Sequence, residues 1–323
     1  MSDGWSRGRA PATIANVGPG FDVFALAIRG PADIVSVRAS DADSLVVEGS
    51  EAGTIPPSFQ QNTAGIVVHA MRRLTGIDEP LEVRVRKGIP AGRGLGSSAA
   101  SCAAAALAFL AAFPRSRSLR PEAVLRAAAE GETAVAGRHF DNISGALLGG
   151  LVTIASTSPF LLRREAVSPN IHVAVAVPEV VMRTADMRRV LPRQVPLRDA
   201  VSNVGKAATL ALALVRGDAA LAGRCLEDRF AEPRRVRFLP GYPEARGAAL
   251  QAGAEGFALS GSGSSVFAIA ASRRVAEQSA NAMRDAFQTR DVNAKAFSTR
   301  VDNSIPLRPI LRRAAPGFSL VTA

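Results

Sequence analysis

A glycine-rich stretch that contains two adjacent hydroxyl side chains is the part of this 323-residue chain best suited to chemistry. It reads Pro90-Ala91-Gly92-Arg93-Gly94-Leu95-Gly96-Ser97-Ser98-Ala99-Ala100. Glycine lets the backbone adopt positive φ angles and lets a ligand approach where a Cβ would clash. Free N–H groups beside the positive end of a helix dipole suit an anion, and phosphate best. One serine could cap the helix, and the other could reach a phosphate oxygen or a metal ion.

A strand and a helix must hold this stretch in place. Residues 81–86 alternate apolar and charged side chains, which predicts a strand with one buried face. Residues 99–112 are rich in alanine and lack glycine and proline, which predicts a helix that Pro114 ends. The stretch has no lysine after Gly96, as a Walker loop would, and no acidic residue in the basic region 115–120, as a dinucleotide fingerprint would. We therefore predict a phosphate-binding loop of a third kind rather than a glycine turn that only caps a core helix.

Two more groups of polar side chains are candidates for the same cleft. Gly18, Pro19 and Gly20 bend the chain between two strand-like pieces, with Asn16 and Asp22 on either side of the bend, although both types are also common in turns. Residues 137–150 carry five polar side chains close together in the sequence, His139 among them, between glycines. Such a cluster is hard to bury as ordinary core, which predicts a cleft loop. The helix predicted before it, from Pro121, carries Glu130 and Glu132 near its end.

Length and composition favour two domains. We predict a first domain over residues 1–160 and a second over 161–323, with a linker within residues 156–170. A hydrophobic content of 47% with 21% charged residues excludes disorder as a description of the whole chain. No run approaches the roughly twenty apolar residues of a membrane span, and no secretory signal is visible, so a cytoplasmic protein is expected.

The formal net charge of +11 raises the question of nucleic-acid binding. The arginines are dispersed over separate elements, and aromatic residues make up only 5% of the chain. We therefore interpret the charge as surface composition together with a few ligands for anionic substrates, and nucleic acid is not an expected partner.

The second half of the chain reads as a series of strands and helices. Thr184 could cap a short helix that holds Arg188 and Arg189, and a long amphipathic helix follows, with Lys206 in solvent and one apolar stripe formed by Leu197, Val201, Val204, Ala208, Ala211 and Val215. Strands at 256–259 and 265–270 flank the turn Ser260-Gly261-Ser262-Gly263-Ser264, and a helix and a strand close the domain. This order fits a ferredoxin-like α+β domain. In the first half, residues 34–38 and 45–48 read as a hairpin.

Three of these segments resemble the motifs of the GHMP kinases. Residues 90–100 match the second motif, Pro-x-x-x-Gly-Leu-Gly-Ser-Ser-Ala, in full; residues 9–26 resemble the first motif in its homoserine kinase form; and the turn after Leu259 resembles the third, with Ser264 in place of proline. The resemblance covers residues 9–301. It implies a two-domain α+β fold, with a ribosomal-protein-like N-terminal domain that contains a left-handed βαβ crossover and a ferredoxin-like C-terminal domain. It also implies that ATP and Mg²⁺ bind between the domains.

Resemblance to the homoserine kinases of this family implies roles for individual residues. Asn16, Asp22, His139, Arg188 and Arg235 would bind the acceptor L-homoserine, with Asn16 near its hydroxyl. Ser98 and Glu132 would hold magnesium, and Asn62, Ser262 and Gly263 would join the glycine-rich stretch in binding the nucleotide. Glu130 stays an alternative to Glu132, as do Arg189 and Arg234 to their neighbours Arg188 and Arg235. No general base is assigned, and a homodimer is expected.

Other members of the family are alternatives to this interpretation. A shikimate or mevalonate type of kinase would keep the phosphate loop without the set Asn16, His139 and Arg188. A non-catalytic member would keep the fold but lack a usable Glu132. Phosphate transfer to one acceptor and not to others would distinguish these cases.

Overall fold

The structure is a computed structural model, and it describes residues 4–49, 52–135, 137, 139–308 and 319–321. The first domain is built on a mixed sheet whose strand order is β11-β6-β5-β2-β4-β3, and β1 pairs with β2 beside that path. Its strands are β1 (Ser6–Ala15), β2 (Phe24–Ala39), β3 (Ser44–Gly49), β4 (Leu81–Lys87), β5 (Leu151–Thr157), β6 (Phe160–Glu165) and β11 (Ser319–Val321). Its helices are α1 (Thr63–Thr75), α2 (Ser97–Ala112), α3 (Pro121–Thr133) and α4 (Asp141–Leu148).

The connection from β3 to β4 differs from the hairpin that the sequence predicts. β3 pairs in parallel with β4, and α1 connects the two strands, so they form a βαβ unit. β2 pairs with β4 on the opposite side from β3. The hairpin prediction for residues 34–38 and 45–48 was therefore wrong, because a parallel pair needs a long crossover that local patterning does not reveal. The hand of this crossover stays a prediction.

The alanine-rich helix α2 lies at the centre of the first domain. Its alanines are fully or almost fully buried from Ala99 to Ala108. A Cβ placed on Gly8 of β1 would overlap with the carbonyl oxygen of Ala104, so the helix packs on the strand at a distance that only small residues allow. Small side chains on both elements thus fix the position of the helix N-terminus that faces the cleft.

The second domain is a four-stranded antiparallel sheet in the order β10-β7-β9-β8, covered by helices. Its strands are β7 (His172–Pro178), β8 (Gly256–Leu259), β9 (Val266–Ala270) and β10 (Ala294–Arg300). Its helices are α5 (Thr184–Arg189), α6 (Leu197–Arg216), α7 (Ala219–Arg224), α8 (Glu232–Arg235), α9 (Tyr242–Gln251) and α10 (Arg273–Gln288). This arrangement confirms the ferredoxin-like α+β prediction.

The boundary between the two sheets lies at a different position in the chain from the one that the sequence predicts. The predicted boundary at 160/161 falls at the start of β6, which pairs with β5 in the large sheet, so the linker predicted within residues 156–170 is mostly a hairpin. The chain leaves the first sheet after Glu165. It also returns to it: the Asp302 N–H donates to the Ala27 carbonyl (2.8 Å), and the Leu307 N–H donates to the Leu147 carbonyl (2.9 Å). The second domain is therefore bounded by two crossings, which lie side by side because His172 and Arg300 are opposite each other in β7 and β10.

Helix α6 is long and amphipathic, as predicted, but the predicted apolar stripe faces solvent. Leu197 is 78% exposed and Val204 70%. The side that packs on the domain carries Leu210, Ala213 and Leu214, together with the polar Asn203. The helix therefore has apolar residues on two sides. Among the described residues, no helix combines the length and the hydropathy that a membrane crossing requires.

Candidate active site

The glycine-rich loop lies between β4 and α2 and faces a cleft of about 320 Å³ between the two domains. Gly92, Gly94 and Gly96 have φ angles of 64°, 75° and 65°, in the left-handed region. A Cβ on Gly94 would overlap with the carbonyl oxygen of Ser260, and one on Gly96 would overlap with Thr13 Oγ1. These two glycines are thus required by close packing as well as by backbone angle, as expected of a loop that presents its N–H groups to an anion.

A buried cluster of charged and polar side chains supports the loop from behind. Lys87 forms an ion pair with Asp33, and its Nζ also donates to the carbonyl oxygen of Ser97 (3.0 Å). The other Asp33 oxygen accepts hydrogen bonds from the Gly88 and Ile89 N–H groups (2.9 and 3.1 Å). Removal of either residue would take hydrogen bonds from the loop. It would also leave the other charge without its partner, which is destabilising because both side chains are almost fully buried. The motifs in the sequence did not indicate this cluster, but Lys87 continues the buried alternation of β4, and a lysine at a buried strand position is the signal that points to it.

The two serines have different environments. Ser97 Oγ donates to the carbonyl of Ile89 (2.8 Å), and the N-cap of α2 is Gly96, which has no side-chain capping bond. The prediction that one serine caps the helix was therefore wrong. Ser98 Oγ lines the cleft, and so does Glu132; the Ser98 Oγ and Glu132 Oε2 atoms are buried without a hydrogen-bond partner among the described residues.

These two unpartnered oxygens fit a magnesium ion. Mg²⁺ prefers oxygen ligands and is held by one or two protein groups together with phosphate oxygens and water. No cluster of three or more His, Cys, Asp and Glu side chains exists in the described part of the chain, so phosphates would have to complete the coordination. Glu130 does not compete for this role, because it is exposed and pairs with Arg73.

Two buried carboxyl groups line the cleft near the loop. Burial raises the pKa of Glu132 to about 7. The nearby Ser98 hydroxyl and the positive charge of Lys87 act in the opposite direction, whereas the negative charge of Asp141 adds to the rise. Burial also raises the pKa of Asp141 to about 6, and the Asp22 charge contributes in the same direction. Both groups would favour a nearby cation, because a cation stabilises the ionised form that burial disfavours.

The cleft is also lined by an ion-pair network. Arg188 Nη2 donates to Asp22 (2.6 Å) and lies 3.0 Å from His139 Nδ1, while Arg188 Nη1 donates to the second Asp22 oxygen (3.1 Å). The Asn16 side chain joins this network from the bend: its amide donates to the Gly261 carbonyl (3.2 Å), and its oxygen accepts from the Asp22 N–H (3.1 Å). Asn16 and Asp22 have φ angles of 66° and 57°, which fits the predicted bend.

Arg235 is a buried cation of the same cleft. It is 3% exposed, and its guanidinium donates to the carbonyls of Gly261 (2.9 Å) and Met187 (3.3 Å). Burial lowers the pKa of Arg235 to about 10, and the Arg188 charge contributes to the decrease. The adjacent Arg189 pairs with Asp186 in solvent, and Arg234 is exposed. Of the alternatives left open, the cleft therefore contains Arg188 and Arg235.

A second cavity of about 220 Å³ adjoins the cleft and shares Gly92, Ser97 and Ser98 with it. Asn62 lines it and also caps α1, since its oxygen accepts from the Ala64 N–H (2.9 Å) and its amide donates to the Pro56 carbonyl (2.8 Å). Most of the lining surface is apolar, although many of the lining residues are polar. A cavity of this kind beside a phosphate loop suits a nucleoside.

Several predicted nucleotide residues lie away from both cavities. Ala91 lines the smaller cavity and Ser262 the cleft, whereas in the described residues neither cavity is lined by Pro90, Arg93, Leu95, Ala99, Ala100 or Gly263. The cleft also contains residues to which the sequence analysis assigned no role, namely Arg183, Asp141 and Asn142. The last two open helix α4, so the predicted cleft loop of residues 137–150 is helical from Asp141 onward.

Comparisons with known proteins agree with this geometry. The model of the GHMP kinases N terminal domain matches residues 62–150, and the model of the GHMP kinases C terminal matches residues 210–289. The chain is 40% identical to a homoserine kinase of Halobacterium salinarum over 91% of this chain and 93% of that protein. It is 39% identical to a homoserine kinase of Pyrococcus abyssi over 90% and 95%.

Solved structures give the same result. The crystal structure of homoserine kinase from Cytophaga hutchinsonii superposes with a TM-score of 0.88 at 32% identity, covering 94% of this chain and 97% of that one. The structure of L. major mevalonate kinase superposes with a TM-score of 0.67 at 16% identity, covering 92% and 96%, and so shares the fold. From the two matched domains, the relatives that span almost the whole sequence and the common fold, we conclude that the chain belongs to the GHMP kinase family.

Proposed function

We propose that the protein transfers the γ-phosphoryl group of ATP to the side-chain hydroxyl of L-homoserine and so forms O-phospho-L-homoserine. One observation carries this proposal: the phosphate loop and a network of Arg188, Asp22 and His139, together with Arg235, line the same cleft. An amino-acid acceptor needs a cation for its carboxylate and an anion or acceptor for its ammonium group. Both are present in the cleft that the loop lines.

The acceptor side is suited to orient an amino acid. A planar guanidinium can donate two hydrogen bonds to a carboxylate, which fixes its orientation as well as its charge. Arg235 would provide the cation for the acceptor carboxylate, and Arg188, which already donates to Asp22 through both Nη atoms, would have to share its donors or exchange this partner to join it. Asp22 and His139 can accept hydrogen bonds from an ammonium group. Asn16, held between Asp22 and Gly261, would lie near the hydroxyl.

The nucleotide side is suited to hold and polarise a triphosphate. The N–H groups at the start of α2 would bind phosphate oxygens, and the smaller cavity beside Asn62 would take the nucleoside. Ser98 and Glu132 would hold magnesium, which when bound neutralises charge that develops on the transferring phosphoryl oxygens. The hydroxyl oxygen bonds to the γ-phosphorus, the bridging bond to ADP breaks, and the hydroxyl proton is released.

Alignment and charge stabilisation supply most of the rate enhancement in phosphoryl transfer. For this reason no residue is assigned as a general base. The proposed reaction belongs to threonine biosynthesis, and a cytoplasmic location is part of the proposal, because ATP is supplied there. We also propose that the protein self-associates, and we do not propose nucleic acid as a partner.

A coupled assay of ADP release tests the proposal. Purified protein is supplied with ATP and Mg²⁺ and, in turn, with homoserine, shikimate, mevalonate and galactose, with Glu132→Gln protein purified in parallel as a control for contaminating kinases. Turnover is expected with homoserine and with none of the other three acceptors. Turnover with another of the acceptors would identify a different kinase of the family, and no turnover with any acceptor would identify a non-catalytic member.

A further inference from the structure

Arg183 lines the cleft just before helix α5 and is exposed there. Within the described residues, its guanidinium takes part in no hydrogen bond and no ion pair. The other two arginines of the cleft in this part of the chain are engaged, because Arg188 pairs with Asp22 and Arg235 donates to backbone carbonyls. The charge of Arg183 is therefore available to a ligand that enters the cleft.

The chain on either side of Arg183 contacts both glycine-rich segments of the cleft. Val181 lies against the phosphate loop, since its Cγ1 atom is 3.7 Å from the position that a Cβ on Gly92 would occupy. Thr184 lies against the turn after β8, since its Oγ1 atom is 3.4 Å from Ser262 Oγ. Gly92 and Ser262 both line the cleft. These contacts place Arg183 beside the two segments that would surround the phosphates of a bound nucleotide.

The phosphate loop itself, residues 90–98, brings no cation into the cleft. A Walker loop reaches the β- and γ-phosphates with a lysine after its last glycine, and the residue at that position here is Ser97. Arg93 does not line the cleft and donates to the Pro178 carbonyl (3.3 Å), while Lys87 behind the loop is paired with buried Asp33. Magnesium and the loop N–H groups would neutralise only part of the charge of a triphosphate, so a cation from outside the loop is needed.

We propose that Arg183 binds the terminal phosphate of ATP and stabilises the negative charge that develops on the phosphoryl group during transfer. A guanidinium can donate two hydrogen bonds to phosphate oxygens, which suits it to this role. Arg183 forms no covalent bond and moves no proton in the reaction. Because it belongs to the second domain and the phosphate loop to the first, the second domain supplies a charge that the loop lacks. The inference rests on the proposed transfer from ATP and is independent of which acceptor is used.

Steady-state kinetics of Arg183→Ala and Arg183→Lys test this role. The kcat of Arg183→Ala should fall about 10- to 100-fold, as for loss of one group that stabilises transition-state charge, while the KM for homoserine changes little. Arg183→Lys should recover part of this loss, because lysine keeps the charge but not the planar fork. Arg189→Ala is the matched control, since Arg189 is an exposed arginine of the same segment that pairs with Asp186, and it should behave as wild type. All three positions are exposed, so the variants should fold.

Nucleotide binding gives a second measurement that does not depend on turnover. Titration calorimetry with Mg²⁺ compares AMP-PNP, a non-hydrolysable analogue of ATP, with AMP, which lacks the terminal phosphate. Arg183→Ala should weaken AMP-PNP binding about tenfold or more and leave AMP binding unchanged.

Three results would overturn the role of Arg183: an unchanged kcat, equal losses for AMP-PNP and AMP, or a rise confined to the KM for homoserine. Wild-type protein that binds AMP-PNP but phosphorylates no acceptor would contradict the proposed function alone, and the comparison of AMP-PNP with AMP would still decide on Arg183. Wild-type protein that does not bind AMP-PNP would contradict both proposals.

Discussion

The two sides of the cleft are built in different ways. The proposed nucleotide side is built around one segment of the chain, residues 90–98, which Lys87 supports from nearby in sequence, and Asn62 and Glu132 add to it from other elements. The acceptor side takes Asp22 from a bend, His139 from the segment before α4, Arg188 from α5 and Arg235 from α8. Contiguous residues are positioned mainly by their own backbone and by its contact with the turn after β8, whereas dispersed residues are positioned entirely by the packing of separate elements. A substitution on the nucleotide side should therefore affect few contacts beyond its own, whereas a substitution on the acceptor side should affect several contacts to the acceptor.

The largest effect is expected for Glu132→Gln, on the nucleotide side. Loss of the carboxylate should reduce kcat about 10²- to 10³-fold, as for removal of one group that stabilises transition-state charge, while the KM for homoserine changes little. Steady-state kinetics at saturating Mg²⁺ measures both constants. Glu130→Gln, less than one turn away and exposed, is the control and should leave both unchanged. Normal turnover of the Glu132 variant would remove this residue from the metal site.

The next largest effect is expected for Gly96→Ala. Its Cβ would overlap with Thr13 Oγ1, so the loop must shift, and kcat/KM for ATP should fall about 10- to 100-fold, as for a modest misplacement of binding groups. Gly76→Ala isolates backbone strain from overlap, because Gly76 has a similar φ angle (67°) but no atom near its Cβ position. That control should lose about 1 kcal/mol of stability and no activity. Equal effects of the two variants on ATP would contradict the packing argument.

On the acceptor side, Arg235→Ala should raise the KM for homoserine about tenfold or somewhat more, as for loss of hydrogen bonds to a charged group, with the KM for ATP unchanged. The exposed neighbour Arg234 supplies the control, since Arg234→Ala should alter neither constant. Kinetics with each substrate varied in turn separates the two sides. An unaltered homoserine KM in the Arg235 variant would show that this cation does not bind the acceptor.

The smallest effect concerns stability and pH. Burial raises the pKa of Glu232, next to Arg235 on α8, to about 7, while its carboxyl accepts from Tyr242 and the Leu259 N–H. Between pH 4.5 and 7 the unfolded chain is ionised at this residue and the folded chain is not, so stability falls as pH rises. Glu232→Gln removes this pH dependence. From pH 5 to pH 8 the free energy of unfolding of the variant should therefore rise by on the order of 2 kcal/mol relative to that of the wild type.

Chemical denaturation at the two pH values measures that difference. Glu244→Gln is the control, since the half-buried Glu244 pairs with Arg290 and this partner lowers its pKa. A stability difference between wild type and Glu232→Gln that does not change with pH would contradict the assignment.

Local patterns predicted the nucleotide side well. Alternation gave β4, the alanine run gave α2, and the glycines between them gave the turn, because each of these depends on a few neighbouring residues. On the acceptor side, the resemblance to a family supplied Arg188 and Arg235. No local signal distinguishes them from Arg189 and Arg234, since only the packing of α5 and α8 decides which arginine of each pair faces the cleft.

Sequence patterns failed where the partner of a residue is distant in the chain. The parallel pairing of β3 with β4 is decided by the crossover through α1, not by the strands themselves. The sequence predicts that the second domain begins at residue 161, because a proline-containing turn resembles a linker. In the structure, β6 follows this turn and pairs with β5 in the first sheet. The apolar stripe of α6 was visible, but periodicity alone cannot say whether such a stripe faces its own domain or another molecule.

The adjacent entry and exit of the second domain restrict how the cleft can open. The chain enters this domain at His172 and leaves it at Arg300, which face each other in neighbouring strands, and Asp302 is hydrogen-bonded to Ala27 and Gly150 immediately afterwards. The phosphate loop is tied to the second domain as well, because the Ser260 hydroxyl donates to the Gly94 carbonyl (2.6 Å) and the Ser265 N–H donates to the Arg93 carbonyl (2.8 Å). The two domains are therefore joined in two places, at the paired crossings and at the phosphate loop. A rotation about the crossings could widen the cleft only by breaking the bonds at the loop, whereas sliding of one domain past the other would break both sets.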